Sequence, residues 1–411
     1  MGNGNINILV FNCGSSSLTY KLFATDDRGN SPVILSGKAT RVGVKGTEPS
    51  RIRTQYGDEI TEQTIPLPNH RKAAALVLQY VADRAIQVDY IGHRFVHGGS
   101  YFQHSVFVNE QTLEALKLCQ PLAPIHNPTS LSVIEECRRK LGEVRQYVAF
   151  DSAYHSSIPE VVYSYALPKR IADKFGFRKY GFHGLSYSYV VKEAARFLQE
   201  PLEELKIVAC HLGTGGSSTV AIRDGRSIDT SMGYTPLPGL VMSTRCGDVD
   251  PMLAIYLSTR YGYRPEDLMD LFSKRSGLLG ISGFSSDITD LLAKTSGEEK
   301  EQAELALNMY VHRLRKYIGS YIVELGGIDA LLFTDDIGVR SWQVRSKVCQ
   351  GMEWCGMKLD EQLNRTASPD VISTLHSKTS KARILSVPTN EELVICREGV
   401  KLIGNRNDPD F

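Results

Sequence analysis

Two short stretches combine small residues and hydroxyls in a way that could hold an anion: NCGSSS at 12–17 and HLGTGGSS at 211–218. Glycine lets a turn aim several backbone N–H groups into one hollow, and serine or threonine hydroxyls add further donors. Such nests bind phosphates. An ordinary hairpin turn is also rich in Gly and Ser, so one such stretch would mean little. What favours the anion reading is its recurrence, each time between two strand-like runs. Neither stretch is a P-loop, and no GxGxxG sits in a βαβ setting. A third chemical group is Arg94, on a strand-like run just ahead of Gly98 and Gly99. Those glycines allow close approach, and a guanidinium fork matches a carboxylate bidentately.

The elements that must position these groups alternate in type, which predicts an α/β protein. INILVFN and LTYKLF read as strands around the first turn, and KIVACHLGTGGSSTVAI repeats the layout from Lys206 to Ile222. A strand–turn–strand unit used twice implies a duplicated domain with a cleft between the copies. YIGHRFVHGG reads as a strand running into a glycine turn, QYVAFDSAYH brings a strand to Asp151, and IDALLFTDDIG is a strand ending in an acidic turn. Helical spacing appears from Arg71, over 109–118 with Asn109 as cap, and over 300–325 with a break at Gly319. Residues 368–383 read as a surface connection. RILSVPTNEELVIC reads as strand, Pro388, then a helix capped by Thr389 or Asn390.

The totals narrow the class. A chain of 411 residues exceeds one ordinary core, so two domains are expected. A net charge of +1 gives no reason to expect nucleic acid or a membrane surface as partner. No apolar run reaches the ~18 residues of a membrane span, and no basic-then-apolar leader opens the sequence. The eight cysteines lack C-x-x-C spacing and suitable histidines, which argues against zinc and for reduced thiols in the cytoplasm.

In order along the chain, NCGSSS, GHRFVHGG, LAPIHNP, FDSAYH, YGFHG, HLGTGG, DTSMG, TRCGDVDP, SGLLGISG and PTNEELVI resemble the acetate kinase family nearly end to end. That resemblance implies duplicated domains of the actin and sugar-kinase (ribonuclease H-like) superfamily around a central cleft. It places the first domain at 1–151, completed by 387–411, and the second at 152–386. It implies a cytoplasmic homodimer that moves a phosphoryl group between acetate and a phosphate donor with Mg²⁺, for which Mn²⁺ is a substitute of the same hard class. By resemblance Arg94 holds the acetate carboxylate, and His183 and Arg245 flank the transferred phosphoryl. Asp151 is the essential aspartate, expected to pair with an arginine or with a magnesium-bound water. Asn12 and Glu391 are the metal positions, with Glu392 equally suited on local grounds. Ser15, Ser17, His211, Gly213, Thr214 and Gly215 cradle the donor phosphates, while His97 and His126 line the site.

The chain departs from the family pattern on the donor side. Thr19 stands where the family has Lys, Thr214 replaces Asn, and Thr289 replaces Arg in SSDITD, two residues after Asp287. The adenosine-side signature resembling FTAGIGEN is here FTDDIGVR: Asp335 and Asp336 put charged side chains where small residues would let a nucleotide lie against backbone, and Val339 and Arg340 replace Glu and Asn, so that Asp287, Thr289, Asp336, Gly338 and Arg340 mark an altered adenosine side. Two carboxylates there disfavour an anionic nucleotide. These departures resemble the pyrophosphate-linked branch, whose donor pair is pyrophosphate and orthophosphate. The alternatives are an ATP-dependent acetate or propionate kinase and, from another class, a non-catalytic sensor of phosphate or acyl phosphate.

Overall fold

A computed structural model describes residues 5–26, 29–44, 46 and 48–404. The chain divides into two compact units, one built from residues up to Tyr154 together with those from Asn390, the other from His155–Thr389.

The first unit carries an eight-stranded sheet. Its strands are β1 (Ile6–Cys13), β2 (Ser17–Thr25), β3 (Val33–Thr40), β4 (Arg51–Tyr56), β5 (Glu59–Thr64), β6 (Tyr90–Phe95), β7 (Val106–Phe107) and β8 (Arg145–Phe150), in the spatial order β5-β4-β3-β2-β1-β6-β8-β7. β1 runs antiparallel to β2 and parallel to β6, and β6 runs parallel to β8. The second unit carries β9 (Ile207–Leu212), β10 (Ser217–Arg223), β11 (Arg226–Thr230), β12 (Ala330–Thr334), β13 (Ser373–Thr374) and β14 (Arg383–Ser386), in the order β11-β10-β9-β12-β14-β13. The run β3-β2-β1-β6-β8 is therefore matched by β11-β10-β9-β12-β14, with the same pattern of antiparallel and parallel pairs. This is the duplicated actin-like fold, in the α/β class that the alternation of elements implies.

Central strands covered on both faces should be apolar throughout, and β9 and β12 are buried at every position. Leu9, Phe11, Leu18 and Tyr20 form one core with Ala73, Ala74 and Val77 of the helix His70–Asp83. Val208, Cys210, Leu331 and Phe333 form the other with Tyr310, Leu314 and Ile318 of the helix Glu298–Leu325. That helix is continuous through Gly319, so the expected break is absent; one glycine costs a helix only ~1 kcal/mol, less than its buried face contributes. FTDDIG also differs from expectation: after β12 the acidic pair opens a short helix, Asp335–Arg340, rather than a turn. Residues 368–383 contain β13, an added edge strand.

The terminal helix Glu391–Gly404 docks on the first sheet through one close approach. A Cβ on Gly92 or Gly399 would lie 2.5 Å from the Tyr147 hydroxyl or 2.3 Å from its ring. The two glycines thus make room for the buried Tyr147, whose hydroxyl donates to Ile395 O at 2.8 Å. Asn390 caps the helix, its Oδ1 accepting from Leu393 N, so it is the second of the two candidate caps that serves. Asn109 likewise caps its helix, accepting from Thr112 N. All eight cysteines are free thiols, and no helix among the described residues is long and apolar enough to cross a membrane.

Candidate active site

In open α/β sheets, ligands sit beyond the C-terminal ends of parallel strands. In the first unit, Asn12 near the end of β1, Arg94 near the end of β6 and Asp151 just past β8 occupy those ends side by side. Asp151 is fully buried and accepts a fork from Arg94, with Nε at 3.1 Å from both carboxylate oxygens and Nη2 at 2.6 Å from Oδ2. The third nitrogen, Nη1, donates to Asn12 Oδ1 at 3.1 Å and lies 3.5 Å from Glu391 Oε2. Burial alone would lower the Arg94 pKa, but Asp151 and Glu391 outweigh it and hold the guanidinium charged well above its usual range. The Asp151 carboxylate is thus the arginine partner that its burial requires.

Asn12 Nδ2 donates to Glu391 Oε2 at 3.0 Å and to Glu392 Oε1 at 2.8 Å, so both glutamates belong to the cluster. Lys21 bonds Glu392 Oε2 at 3.0 Å and Asn390 Oδ1 at 3.1 Å. The sequence reading did not include Lys21, yet strand alternation puts it on the same face of β2 as Ser17 and Thr19. Three carboxylates here face two cations, and among the described residues no group of three His, Cys, Asp or Glu side chains is placed to hold a metal ion by itself. Ser15 and Ser17 lie at the β1–β2 turn, Ser15 exposed and Ser17 partly so. His97 is buried, accepting from Gly99 N through Nδ1, while Asn127 bonds its backbone N–H and carbonyl. His126 directly precedes the helix Asn127–Lys140.

The second unit gathers His183, His211, Arg245 and the turn 213–216. His183 precedes the helix Gly184–Leu198 with a left-handed backbone, φ 58°. Its Nδ1 meets Ser218 Oγ at 2.7 Å, which leaves Nε2 on the turn side; a Cβ on Gly216 would lie 3.6 Å from that Nε2 and 3.2 Å from Arg245 Nη1. Two side-chain nitrogens therefore converge on Gly216. Arg245 Nη1 bonds Pro236 O at 3.1 Å and contacts Met242 Sδ at 3.8 Å, and no carboxylate of the described residues pairs with it. Burial pushes its pKa down, the opposite of Arg94. His211 stacks on His183 with ring centroids 4.0 Å apart, bonds Ser186 Oγ through Nδ1 at 2.9 Å, and meets Asp335 Oδ2 through Nε2 at 3.0 Å. Thr214 O accepts from Ser243 Oγ at 2.6 Å, tying the turn to the segment that carries Arg245.

Of the residues expected on the adenosine side, Asp287 caps the helix Ile288–Ala293 by accepting from Thr289 N. Gly338 is buried, its carbonyl held by the buried Arg345. Asp287, Thr289, Asp336 and Arg340 line a cavity of 570 Å³ with Thr214 and Trp342. Asp287, Asp336 and Arg340 give this space charged walls without filling it.

His155 also serves the site, although sequence reasoning gave it no role. Its ring is buried, bonding Ser227 Oγ and Phe182 O at 2.8 Å each, and it fixes the residue before His183. Burial lowers its pKa to about 4.

A family model described as the acetokinase family matches residues 7–397. Acetate kinase of Dictyoglomus turgidum is 42% identical over 407 residues, covering 97% of this chain and 98% of its own. Among solved structures, acetate kinase from Entamoeba histolytica superimposes with a TM-score of 0.86 at 43% identity, covering 96% of this chain and 99% of its own. A propionate kinase from Francisella tularensis gives 0.85 at 34% identity, with 96% and 98% covered. The chain belongs to the acetokinase family, and it is a phosphotransferase with a carboxyl group as acceptor.

Proposed function

We propose that this enzyme transfers a phosphoryl group reversibly between acetate and a phosphate donor. The observation that carries the reading is the convergence of Arg245 Nη1 and His183 Nε2 on the glycine turn at Gly216. A carboxylate is ionised at neutral pH and needs no strong base; the barrier lies in bringing two anions together. Asp151 engages two nitrogens of Arg94 and fixes the fork, so Nη1 is the edge we assign to the acyl carboxylate. His183 and Arg245 then stabilise the charge on the phosphoryl group in flight, and the Gly213–Gly216 backbone with His211 and Thr214 holds the donor phosphates. Asn12 and Glu391 are the residues we assign to Mg²⁺, with Glu392 held back by Lys21. When bound, the ion neutralises phosphate charge. A homodimer fits the exposed Met252, Leu253, Ile255 and Tyr256 on the helix Met252–Tyr261, none of whose residues is buried; light scattering reads the mass.

For the donor we favour pyrophosphate, with orthophosphate as its partner. The support is the acidic pair at the phosphate turn: Asp335 stands against Gly213, and Asp336 lines the adjoining cavity. A second reading, ATP and ADP, has its own support. The 570 Å³ cavity beside Thr214 is open, and relatives at 42–43% identity carry the unqualified name acetate kinase. Consumption of acetyl phosphate with Mg²⁺ and either orthophosphate or ADP decides between them. Turnover with orthophosphate at least tenfold above ADP supports the first reading; ADP equal or better establishes the second. Binding of acetyl phosphate with no turnover in either case would defeat the enzymatic proposal.

A further inference from the structure

We propose that Asp335 makes the phosphate turn of the second unit selective for an oxyanion that still carries a proton. The inference rests on reading that turn as the donor-phosphate site, and it deepens the inorganic-phosphate form of that reading.

Asp335 follows β12 directly, and register explains where it lands. Thr334 pairs with His211 across the β12–β9 ladder, so the next residue arrives beside the residues that follow His211. Its Oδ2 lies 3.0 Å from His211 Nε2. A Cβ on Gly213 would be only 2.1 Å from the same oxygen, so the bare glycine is what admits the carboxylate onto the turn. Asp335 has a left-handed backbone, φ 63°. Aspartate and asparagine tolerate that region better than most residues, but it still carries strain that the surroundings must hold in place. The side chain keeps 28% of its surface exposed, so an arriving ion can reach it.

An anion on this turn therefore meets Arg245 Nη1 and His183 Nε2 at Gly216 and a carboxylate at Gly213. A fully ionised oxyanion is repelled by that carboxylate. An oxyanion with one P–OH can instead donate to it, a charge-assisted bond about twice as strong as a neutral one. Orthophosphate keeps a proton throughout the neutral and mildly alkaline range. Sulfate keeps none, and a terminal phosphate ester loses its second proton near pH ~6. One carboxylate thus separates orthophosphate both from sulfate and from the terminal phosphate of a nucleotide.

The test is calorimetric titration of the full chain at pH ~8 with orthophosphate and with sulfate, no turnover being required. The wild type is expected to prefer orthophosphate by about ten- to a hundredfold. Asp335→Asn keeps size and left-handed tendency, and Asp335→Gly relieves the strain altogether. Both are expected to bring the two ions within about threefold of each other, chiefly by tightening sulfate. A wild type that binds sulfate as well as orthophosphate, or a preference that survives in both variants, overturns the proposal. Arg245→Ala separates the two failures. Orthophosphate binding untouched by Arg245→Ala overturns the assignment of the turn itself. Binding that needs Arg245 and ignores Asp335 overturns only the selectivity inference.

Discussion

The turns at 14–17 and 213–216 close with the same hydrogen bond, Gly14 N to Ser17 O at 2.9 Å and Gly213 N to Gly216 O at 3.1 Å. Their registers also match: Asn12 faces Thr19 across the first hairpin, as His211 faces Ser218 across the second. What surrounds them differs. Beside the first, Arg94 is forked onto Asp151 and lies against Asn12 and Glu391 through Nη1, and Lys21 pairs with Glu392. Beside the second, Arg245 has one carbonyl and a thioether, and the carboxylate that stands near goes to His211. One backbone device thus serves two electrostatic tasks. In the first unit the charges hold one another, so structure and chemistry rest on the same bonds. In the second a cation is kept under-partnered, which costs some stability and leaves its field for a ligand.

Removing one arginine from each unit should break that contrast most visibly. Arg94→Ala leaves Asp151 buried without its partner, so a stability loss of about 3–5 kcal/mol is expected together with a rate loss on the order of 10²–10³-fold. Denaturant melts and acetyl phosphate turnover read the two effects. Arg245→Ala is expected to lose rate on a similar order, ~10²-fold or more. Its melting temperature should stay within about 3 °C of the wild type, or rise, because no ion pair is broken. Equal destabilisation by both variants would remove the distinction drawn between the two units.

Much of the arrangement was legible in the residues before any coordinates. The two strand–turn–strand runs announced a duplication, and the matching sheet orders bear it out. Apolar runs gave the central strands, and Asn109 and Asn390 gave two helix starts. What stayed hidden needed a third dimension. The Asp335–His211 contact depends on β12 lying beside β9, and more than a hundred residues separate those strands in sequence. Glu392 looked like an alternative to Glu391, whereas Asn12 bonds both because one amide nitrogen carries two hydrogens. Lys21 could have been found from alternation, two places beyond Thr19 on one strand face. His155 could not, since only its buried bonds to Ser227 and Phe182 separate it from an ordinary core histidine.

The same contrast has an acid side. His155 in the second unit and His93 in the first are both buried neutral, with pKa lowered by burial to about 4. Each depressed histidine stabilises the fold above its unfolded pKa near 6.5. That contribution is lost as pH falls from there through about 4, because the unfolded chain takes up the proton first. Stability should therefore drop between pH ~6.5 and ~4 by on the order of 1–3 kcal/mol for each histidine. His155→Gln should be less stable at neutral pH yet show a shallower acid slope. Circular-dichroism melts across that range check it; an unchanged slope would remove His155 from the account.

The smallest effect probes the crowded cluster itself. Lys21 lies on Glu392 and Asn390, its side chain about a quarter exposed. Glu392 is buried but keeps Asn12 as a donor when the lysine is lost, so Lys21→Met should lower stability by only about 1 kcal/mol. Its charge nonetheless offsets one of three carboxylates beside Asn12. Without it, the local field becomes more favourable to a divalent cation, and the apparent Mg²⁺ requirement should fall by about two- to fivefold. The effect should shrink as salt rises, because screening weakens a partly exposed charge first. If Lys21 instead acts by holding Asn390, and through it the start of the terminal helix, the change goes the other way: Glu391 loosens and more Mg²⁺ is needed. The sign of the shift, read from metal titrations of activity at two ionic strengths, tells whether the first unit uses this lysine as a charge or as a brace.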